Sequence, residues 1–339
     1  MWKAWGVPKL PGTDLPIVQS PMAGGATTPE LVAAVADAGA LGFVAAGYLS
    51  AEQLRDRITA VRERTRAPFG VNLFVPWPDR ADSRAVDAYA ERLAPDAERL
   101  DVALGKPRWD DDDWAAKVEL LLADPLPVVG LTFGCPTDGT IAALQNAGSA
   151  VAVTVTTRTE AADAVAAGAD ALLLQGAEAG AHRGSWTPDA EPVPLATLLA
   201  EVRPLTDVPL VAAGGLADVD AVRRILAAGA TYAQVGTALL RSPESGAPPL
   251  HKEALVTRTG TTITRAFTGR RARGLVNGFI RDHGPDEVEA YPQVHHVTRP
   301  LRAAAAKAGD PERMALWAGT GHASAQDAPA AEIIRALTP

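Results

Sequence analysis

The sequence predicts an α/β chain: a (β/α)8 TIM barrel with a smaller inserted substrate-binding or lid region. Three observations carry that expectation. Short, continuous apolar runs occur eight times, at 16–22, 41–46, 69–74, 128–133, 150–155, 171–175, 209–213 and 232–236. Alanine-rich segments of helical period lie between most of them, at 29–38, 51–65, 113–123, 138–147, 158–167, 195–205 and 218–228. One junction also recurs, with Gly39, Gly148, Gly168 and Gly229 each standing between the end of a helical segment and the next strand. Apolar strands alternating with amphipathic helices build a parallel sheet covered on its outer face. A glycine just past a helix takes the left-handed conformation that closes the last turn. Eight strands favour a closed barrel over a doubly wound sheet.

The remaining elements are placed around that frame. The chain has 339 residues, more than the roughly 250 of a plain barrel, so insertions are expected. One is helical and covers 76–112. It carries Pro76, Pro78 and an acidic run, Asp110 to Asp113, which reads as a solvated helix start. Residues 242–298, with Pro243, Pro248, Pro249 and Tyr291-Pro292, follow the eighth strand and read as the substrate-binding or lid region. Residues 299–339 are expected to return as helices, leaving 1–241 and 299–339 as the barrel.

The net charge of −8 argues against non-specific nucleic-acid binding, which needs clustered cations. Cys135 is the single cysteine, so no intrachain disulfide is possible and a reducing compartment fits. The start, residues 1–6, lacks the apolar core of a signal peptide. No apolar run reaches the roughly 18–20 residues that span a bilayer. The expectation is a cytoplasmic protein with no membrane partner.

Chemistry in a barrel sits at the strand ends. The first strand ends Gln19-Ser20-Pro21-Met22-Ala23-Gly24-Gly25. The third, Phe69-Gly70-Val71-Asn72-Leu73-Phe74, carries an asparagine that needs a partner if buried. The fourth ends near Cys135, which has no evident basic neighbour to activate it. After the sixth comes Gln175-Gly176-Ala177-Glu178-Ala179-Gly180-Ala181-His182-Arg183-Gly184. Its glycines let backbone approach a ligand, and His182 is a candidate proton acceptor or anion holder. Gly214-Gly215 after the seventh strand and Gln234-Val235-Gly236-Thr237 at the eighth match a barrel phosphate site, where backbone N–H groups do the binding. None of the six histidines has a spacing typical of a metal site. His295 and His296, if on a strand, would face opposite ways. Arg265, Arg270, Arg271 and Arg273 read as a solvated or interface face rather than as a substrate anchor.

With these residues in view, the chain resembles the nitronate monooxygenase (2-nitropropane dioxygenase) family over nearly its whole length. The resemblance rests on Leu15 to Met22, Phe69 to Phe74, Gln175 to Gly184, Ala212 to Gly215 and Gln234 to Thr237. Thr264 to Arg270 and Leu316 to Gly319 extend it. It implies a tightly held FMN contacted by Met22, Asn72, Gln175 and Gly180, with the phosphate on Gly214, Gly215, Gln234, Gly236 and Thr237. It also implies His182 as the active-site histidine. The expected reaction is oxidation of alkyl or propionate 3-nitronate-type substrates with O2 to a carbonyl compound and nitrite, by a monomer or homodimer. Ala181 stands where the family usually has a second glycine, and His322 lies in a variable stretch. The rivals are an FMN-dependent enoyl-thioester reductase using NAD(P)H and a non-redox barrel enzyme for a phosphorylated metabolite.

Overall fold

The structure, a computed structural model, describes residues 10–188 and 190–339; the opening stretch, residues 1–6, lies outside them. Eight parallel strands form one sheet. They are β1 (Ile17–Gln19), β2 (Phe43–Ala45), β3 (Gly70–Phe74), β4 (Val128–Thr132), β5 (Ala150–Val155) and β6 (Ala171–Gln175). After a short strand β7 (Ala181–His182) that pairs elsewhere come β8 (Leu210–Ala213) and β9 (Tyr232–Val235). The spatial order is β1-β9-β8-β6-β5-β4-β3-β2. A parallel bridge between Val18 and Leu41 joins the two ends, so the sheet closes into the expected barrel.

Side-chain alternation explains the closure. Val71, Leu73, Val129, Leu131, Val151, Val153, Leu172 and Leu174 belong to the cluster between strands and helices. Val18, Phe43, Val128, Ala152, Ala171, Leu173, Val211 and Tyr232 belong to a separate cluster inside the barrel. Two apolar faces per strand are what a parallel sheet with a filled interior requires.

The helices in chain order are α1 (Pro29–Asp37), α2 (Ala51–Arg64), α3 (Ser83–Arg99), α4 (Trp114–Ala123), α5 (Thr140–Asn146), α6 (Arg158–Ala166), α7 (Leu195–Val202), α8 (Val219–Ala227), α9 (Pro249–Thr257), α10 (Gly278–His283), α11 (Gln293–Ala308) and α12 (Ala330–Leu337). Side-chain caps start several of them: Thr28 for α1, Ser50 with Gln53 for α2, and Asp218 for α8. Such caps satisfy amides that a first turn leaves without partners. The four glycines of the recurring junction all have positive φ, from 87° to 108°.

The acidic run departs from expectation. Asp112 and Asp113 are left-handed, at φ 58° and 57°. Asp112 forms a 2.7 Å ion pair with Lys117, which is 1% exposed. Its other oxygen accepts the Tyr48 amide at 2.7 Å, and Asp113 accepts the Ala51 amide at 2.7 Å. The run is a structural clamp between α4 and the loop after β2, not a solvated helix start.

A second apolar cluster sits apart from the barrel. Val86, Tyr89 and Leu93 of α3 pack with Phe267, Phe279, Val294, Val297 and Leu301. The 76–112 insertion therefore joins the region after the eighth strand, and α11 runs through the expected boundary at 298/299. α12 returns to the barrel and packs on α1 and α8. Two further strands, β10 (Thr261–Thr264) and β11 (Ala272–Leu275), form a small antiparallel sheet with β7. Ala272 pairs with His182 and Arg273 with Ala181. This sheet ties the loop after β6 to the region after the eighth strand, which with the 76–112 insertion forms a cap over the barrel.

Candidate active site

All ten residues singled out at the strand ends line one cavity of about 650 Å³: Met22, Asn72, Gln175, Gly180, His182, Gly214, Gly215, Gln234, Gly236 and Thr237. The strands deliver them from below. Asn72 is 3% exposed. Its Oδ1 accepts the Thr132 hydroxyl at 3.0 Å, and Thr132 in turn lies 3.0 Å from Thr154, so a strand side chain rather than backbone satisfies the amide oxygen. Gln175 spans its own loop, donating to the His182 carbonyl at 2.9 Å and accepting the Gly184 amide at 2.8 Å. Arg183, 3% exposed, donates to the carbonyls of Gly176 and Gln175 and closes the same loop. A Cβ at Gly180 would meet backbone atoms of Ala318 and Gly319 at 2.6 Å, so only glycine fits there. Gly319 donates to Thr237 Oγ1 at 3.0 Å, which seats the tail beside the eighth strand end.

Ala181 adopts the left-handed conformation, φ 60°. An L-residue with a Cβ carries roughly 1–2 kcal/mol of strain there, partly offset because alanine loses less chain entropy than glycine on folding. The loop keeps the glycine geometry at an energetic cost. Ala181→Gly is expected to raise stability by up to about 1 kcal/mol in equilibrium or thermal unfolding; a loss of stability would contradict the strain.

His182 faces the cavity within a ring of aromatic groups. Phe133, Tyr291 and Trp317 lie 5.9, 5.5 and 6.0 Å away by ring centroids. Its Nε2 is 2.9 Å from Thr268 Oγ1, and that hydroxyl lies 3.2 Å from the Arg270 carbonyl, its acceptor. The threonine spends its proton on the carbonyl, so its oxygen accepts Nε2–H. Nδ1 then carries the lone pair and has no hydrogen-bond partner among the described residues. Burial, helped by the positive charges of Arg270 and Arg302, pulls the imidazole pKa down to about 3. His182 is therefore a neutral acceptor throughout the physiological range.

Several residues at the cavity were not picked out from the strand ends. Tyr48, left-handed at φ 69°, stacks on His295 at 4.1 Å, and its hydroxyl is 3.5 Å from that of Tyr291. His295 and His296 lie on a helix, α11, not a strand. His295 joins the cavity, whereas His296 pairs with Asp110 at 2.7 Å. Arg299 and Arg302 follow on α11 and also line the cavity. Arg270, read as solvated, is 5% exposed and lies 3.9 and 3.7 Å from the ring centroids of Trp77 and Phe133. Its donors reach the carbonyls of Arg183 and Ser185 at 3.1 and 2.5 Å. These groups sit in loops and on α11, where no local pattern marks a site. His322 is bound to the Leu255 carbonyl at 2.6 Å and does not line the cavity. Burial pushes the Cys135 thiol up to about 11, which leaves it inert as a nucleophile. No cluster of metal-ligating side chains occurs among the described residues.

The buried neutral histidines predict acid sensitivity. His182, His251 and His295 all have pKa values lowered by burial. Below about 6.5 the unfolded chain takes up protons that the folded chain refuses, so folding stability is present above that pH and is lost as pH falls. Each such group contributes up to about 1.4 kcal/mol per pH unit in that window. Asp112, raised to about 6 mainly by burial, works in the opposite direction but is one group against three. Thermal unfolding is expected at a lower temperature at pH 5 than at pH 7; equal midpoints would mean these histidines titrate in the folded state.

Comparison with known proteins now decides the family. The nitronate monooxygenase family model matches residues 11–339. The chain belongs to the nitronate monooxygenase family. A probable nitronate monooxygenase of Staphylococcus aureus (strain MSSA476) is 34% identical, covering 98% of this chain and 96% of that protein. Among solved structures, the nitroalkane oxidase of Streptomyces ansochromogenes superposes with a TM-score of 0.93 at 49% identity, covering 96% of this chain and 95% of the other. FabK from Thermotoga maritima gives 0.75 at 28% identity, covering 96% and 92%. These likenesses make the chain an oxidoreductase of this family. No helix among the described residues is long and apolar enough to cross a membrane.

Proposed function

We propose that this chain is an FMN-dependent nitronate monooxygenase, acting on alkyl or propionate 3-nitronate-type substrates with O2 to give a carbonyl compound and nitrite. The observation that carries the reading is a single cavity with two differently built ends. At one end are the left-handed glycines Gly214 and Gly215, at φ 127° and 70°, with Gly236 and Thr237 beside them. At the other is the neutral His182 under its aromatic ring.

The residues fit FMN. The cavity, about 650 Å³, falls within the usual range for sites of this kind, roughly 300–1,000 Å³. Gln234 Oε1 is buried there without a hydrogen-bond partner, an acceptor awaiting a donor that a flavin ring possesses. Gly214, Gly215, Gly236 and Thr237 would hold the phosphate with backbone N–H groups. Met22, Asn72, Gln175 and Gly180 would face the ring. Bound FMN supplies the electron exchange between nitronate and O2. The chain positions the substrate and manages protons. His182 Nδ1 accepts the α-proton of a neutral nitroalkane, and Thr268 fixes the tautomer that leaves Nδ1 free. Phe133, Tyr291 and Trp317 keep water away from the reacting carbon.

The test is anaerobic mixing of the purified protein with propionate 3-nitronate, and separately with NADPH, while its visible spectrum is recorded. A yellow protein bleached by the nitronate and not by NADPH is the expected result. Bleaching by NADPH alone would instead favour the enoyl-thioester reductase, and a colourless protein that cannot be reconstituted with FMN would end the flavin reading.

A further inference from the structure

Taking the α-proton from a nitroalkane creates a charge that His182 does not itself hold. The α C–H bond breaks, the proton passes to Nδ1, and the C–H electron pair becomes the C=N bond of the nitronate. The displaced N–O pair leaves one full negative charge on the nitro oxygens. Nδ1 carries the lone pair before the transfer, because Nε2–H is spent on Thr268, so His182 offers those oxygens no hydrogen bond as the reaction starts. Lowering this barrier needs a separate donor aimed where the charge develops.

Among the three rings around His182, Trp317 brings such a donor. Phe133 has none, and the Tyr291 hydroxyl donates to that of Tyr48 at 3.5 Å. Trp317 Nε1–H has no hydrogen-bond partner among the described residues and is not sealed in by packing. The space that this half-buried side chain lines is the cavity. Buried indole N–H groups usually find an acceptor. Trp77, Trp109 and Trp186 do so on backbone carbonyls at 2.6, 2.9 and 2.9 Å. Trp114, which does not, stands on α4 outside the cavity.

The indole of Trp317 is also held in place. Its backbone carbonyl accepts His251 Nε2–H at 2.9 Å, and the residue forms an antiparallel bridge with Gly274. A Cβ at Gly274 would lie 3.1 Å from Trp317 Cε3, so the ring packs against that glycine. Phe267 meets it edge to face, at 5.4 Å and 82°. The ring thus stands fixed at 6.0 Å by centroids from His182, tilted 43° to it. A proton-bearing carbon and a nitro oxygen are only two bonds apart, so a base and a donor this close address both ends of one C–NO2 group.

We propose that Trp317 is a catalytic residue whose indole N–H donates to the nitro oxygens as His182 removes the α-proton. The role rests on the nitronate reading above and goes beyond the shielding of the reacting carbon. It makes the site a paired base and anion holder, suited to carbon acids whose charge settles on oxygen.

The experiment has two arms. Trp317→Phe keeps a ring against Phe267 and Gly274 and removes the N–H. In the first arm, kcat and KM are measured for 1-nitropropane and for preformed propyl 1-nitronate. On the neutral substrate kcat is expected to fall roughly 10²-fold, the loss for one donor at a developing oxyanion. The preformed nitronate carries its charge before binding, so its KM should rise while kcat stays within about 3-fold. Unchanged turnover of 1-nitropropane, or an equal fall in kcat on both substrates, would overturn the role. In the second arm, the wild type, isotope-labelled at the indole nitrogens of its seven tryptophans, is titrated with butyrate and followed by NMR. Butyrate has the shape of propyl 1-nitronate and does not react. One indole N–H resonance should move downfield as it gains an anionic acceptor, and it should be the one missing from Trp317→Phe. Immobility of all seven, or a shift that persists in Trp317→Phe, would overturn the proposal. A wild type that oxidises neither substrate while that resonance still moves would fell the nitronate reading and leave the donor standing.

Discussion

His182→Asn is expected to lower kcat/KM for a neutral nitroalkane by 10²–10⁴-fold, the usual loss when a positioned base is removed. The fall should be smaller for a preformed nitronate, which has no α-proton to give up and loses only a hydrogen-bond partner. The FMN proposed above should stay bound, because the glycines proposed to hold its phosphate lie at other strand ends. The acid limb of the wild-type pH profile is informative too. Burial and the charges of Arg270 and Arg302 hold the histidine pKa down to about 3, so this residue should impose no break near 6.5. Turnover of the neutral substrate by His182→Asn at the wild-type rate would remove His182 from the chemistry.

Arg270→Ala is expected to destabilise the fold by about 3–5 kcal/mol, in the range for emptying a large buried slot and leaving its polar partners unpaired. The guanidinium fills the gap between Trp77 and Phe133 and satisfies two carbonyls of the loop after β6. Trp77 also donates to the Phe133 carbonyl at 2.6 Å, so the insertion, the fourth strand end and the cap all meet at this one side chain. The unfolding midpoint should fall by roughly 4–7 °C. Arg270→Lys should rescue little, because an ammonium neither stacks flat nor reaches both carbonyls. An unchanged midpoint for Arg270→Ala would show that the aromatic slot closes without it.

The barrel was legible because its cues are local. Seven of the eight apolar runs come within a residue or two of β2–β6, β8 and β9, and the first, 16–22, overruns the end of β1 by three, since period and turn chemistry act over a few residues. The strand-end residues could be read for the same reason: a strand whose ends are known also locates the mouth of the barrel. The cap was not legible. Tyr48, Tyr291, His295 and Arg302 reach the cavity from segments far apart in the chain, and nothing in their neighbours' sequence says so. Arg270 illustrates the point. Among three nearby arginines it reads as one of a solvated group, and only the Trp77 and Phe133 rings, brought in from elsewhere, bury it. The Asp110 to Asp113 run was misread likewise, because its counter-charge, Lys117, lies on the helix it precedes and turns inward only when the β2 loop packs on it.

The cluster that unites α3 with α10 and α11 also bears on how the chain is made. The apolar face of α3, with Val86, Tyr89 and Leu93, emerges from the ribosome well before its partners Val294, Val297 and Leu301. At about 5–20 residues per second, some 200 residues of synthesis leave that face uncovered for roughly 10–40 s. During that interval β4 to β9 are made, so the barrel can close while its cap is still half-written. The nascent protein thus offers a ready-made docking strip to chaperones, and a truncated message would yield a barrel with an adhesive flank instead of a finished active site.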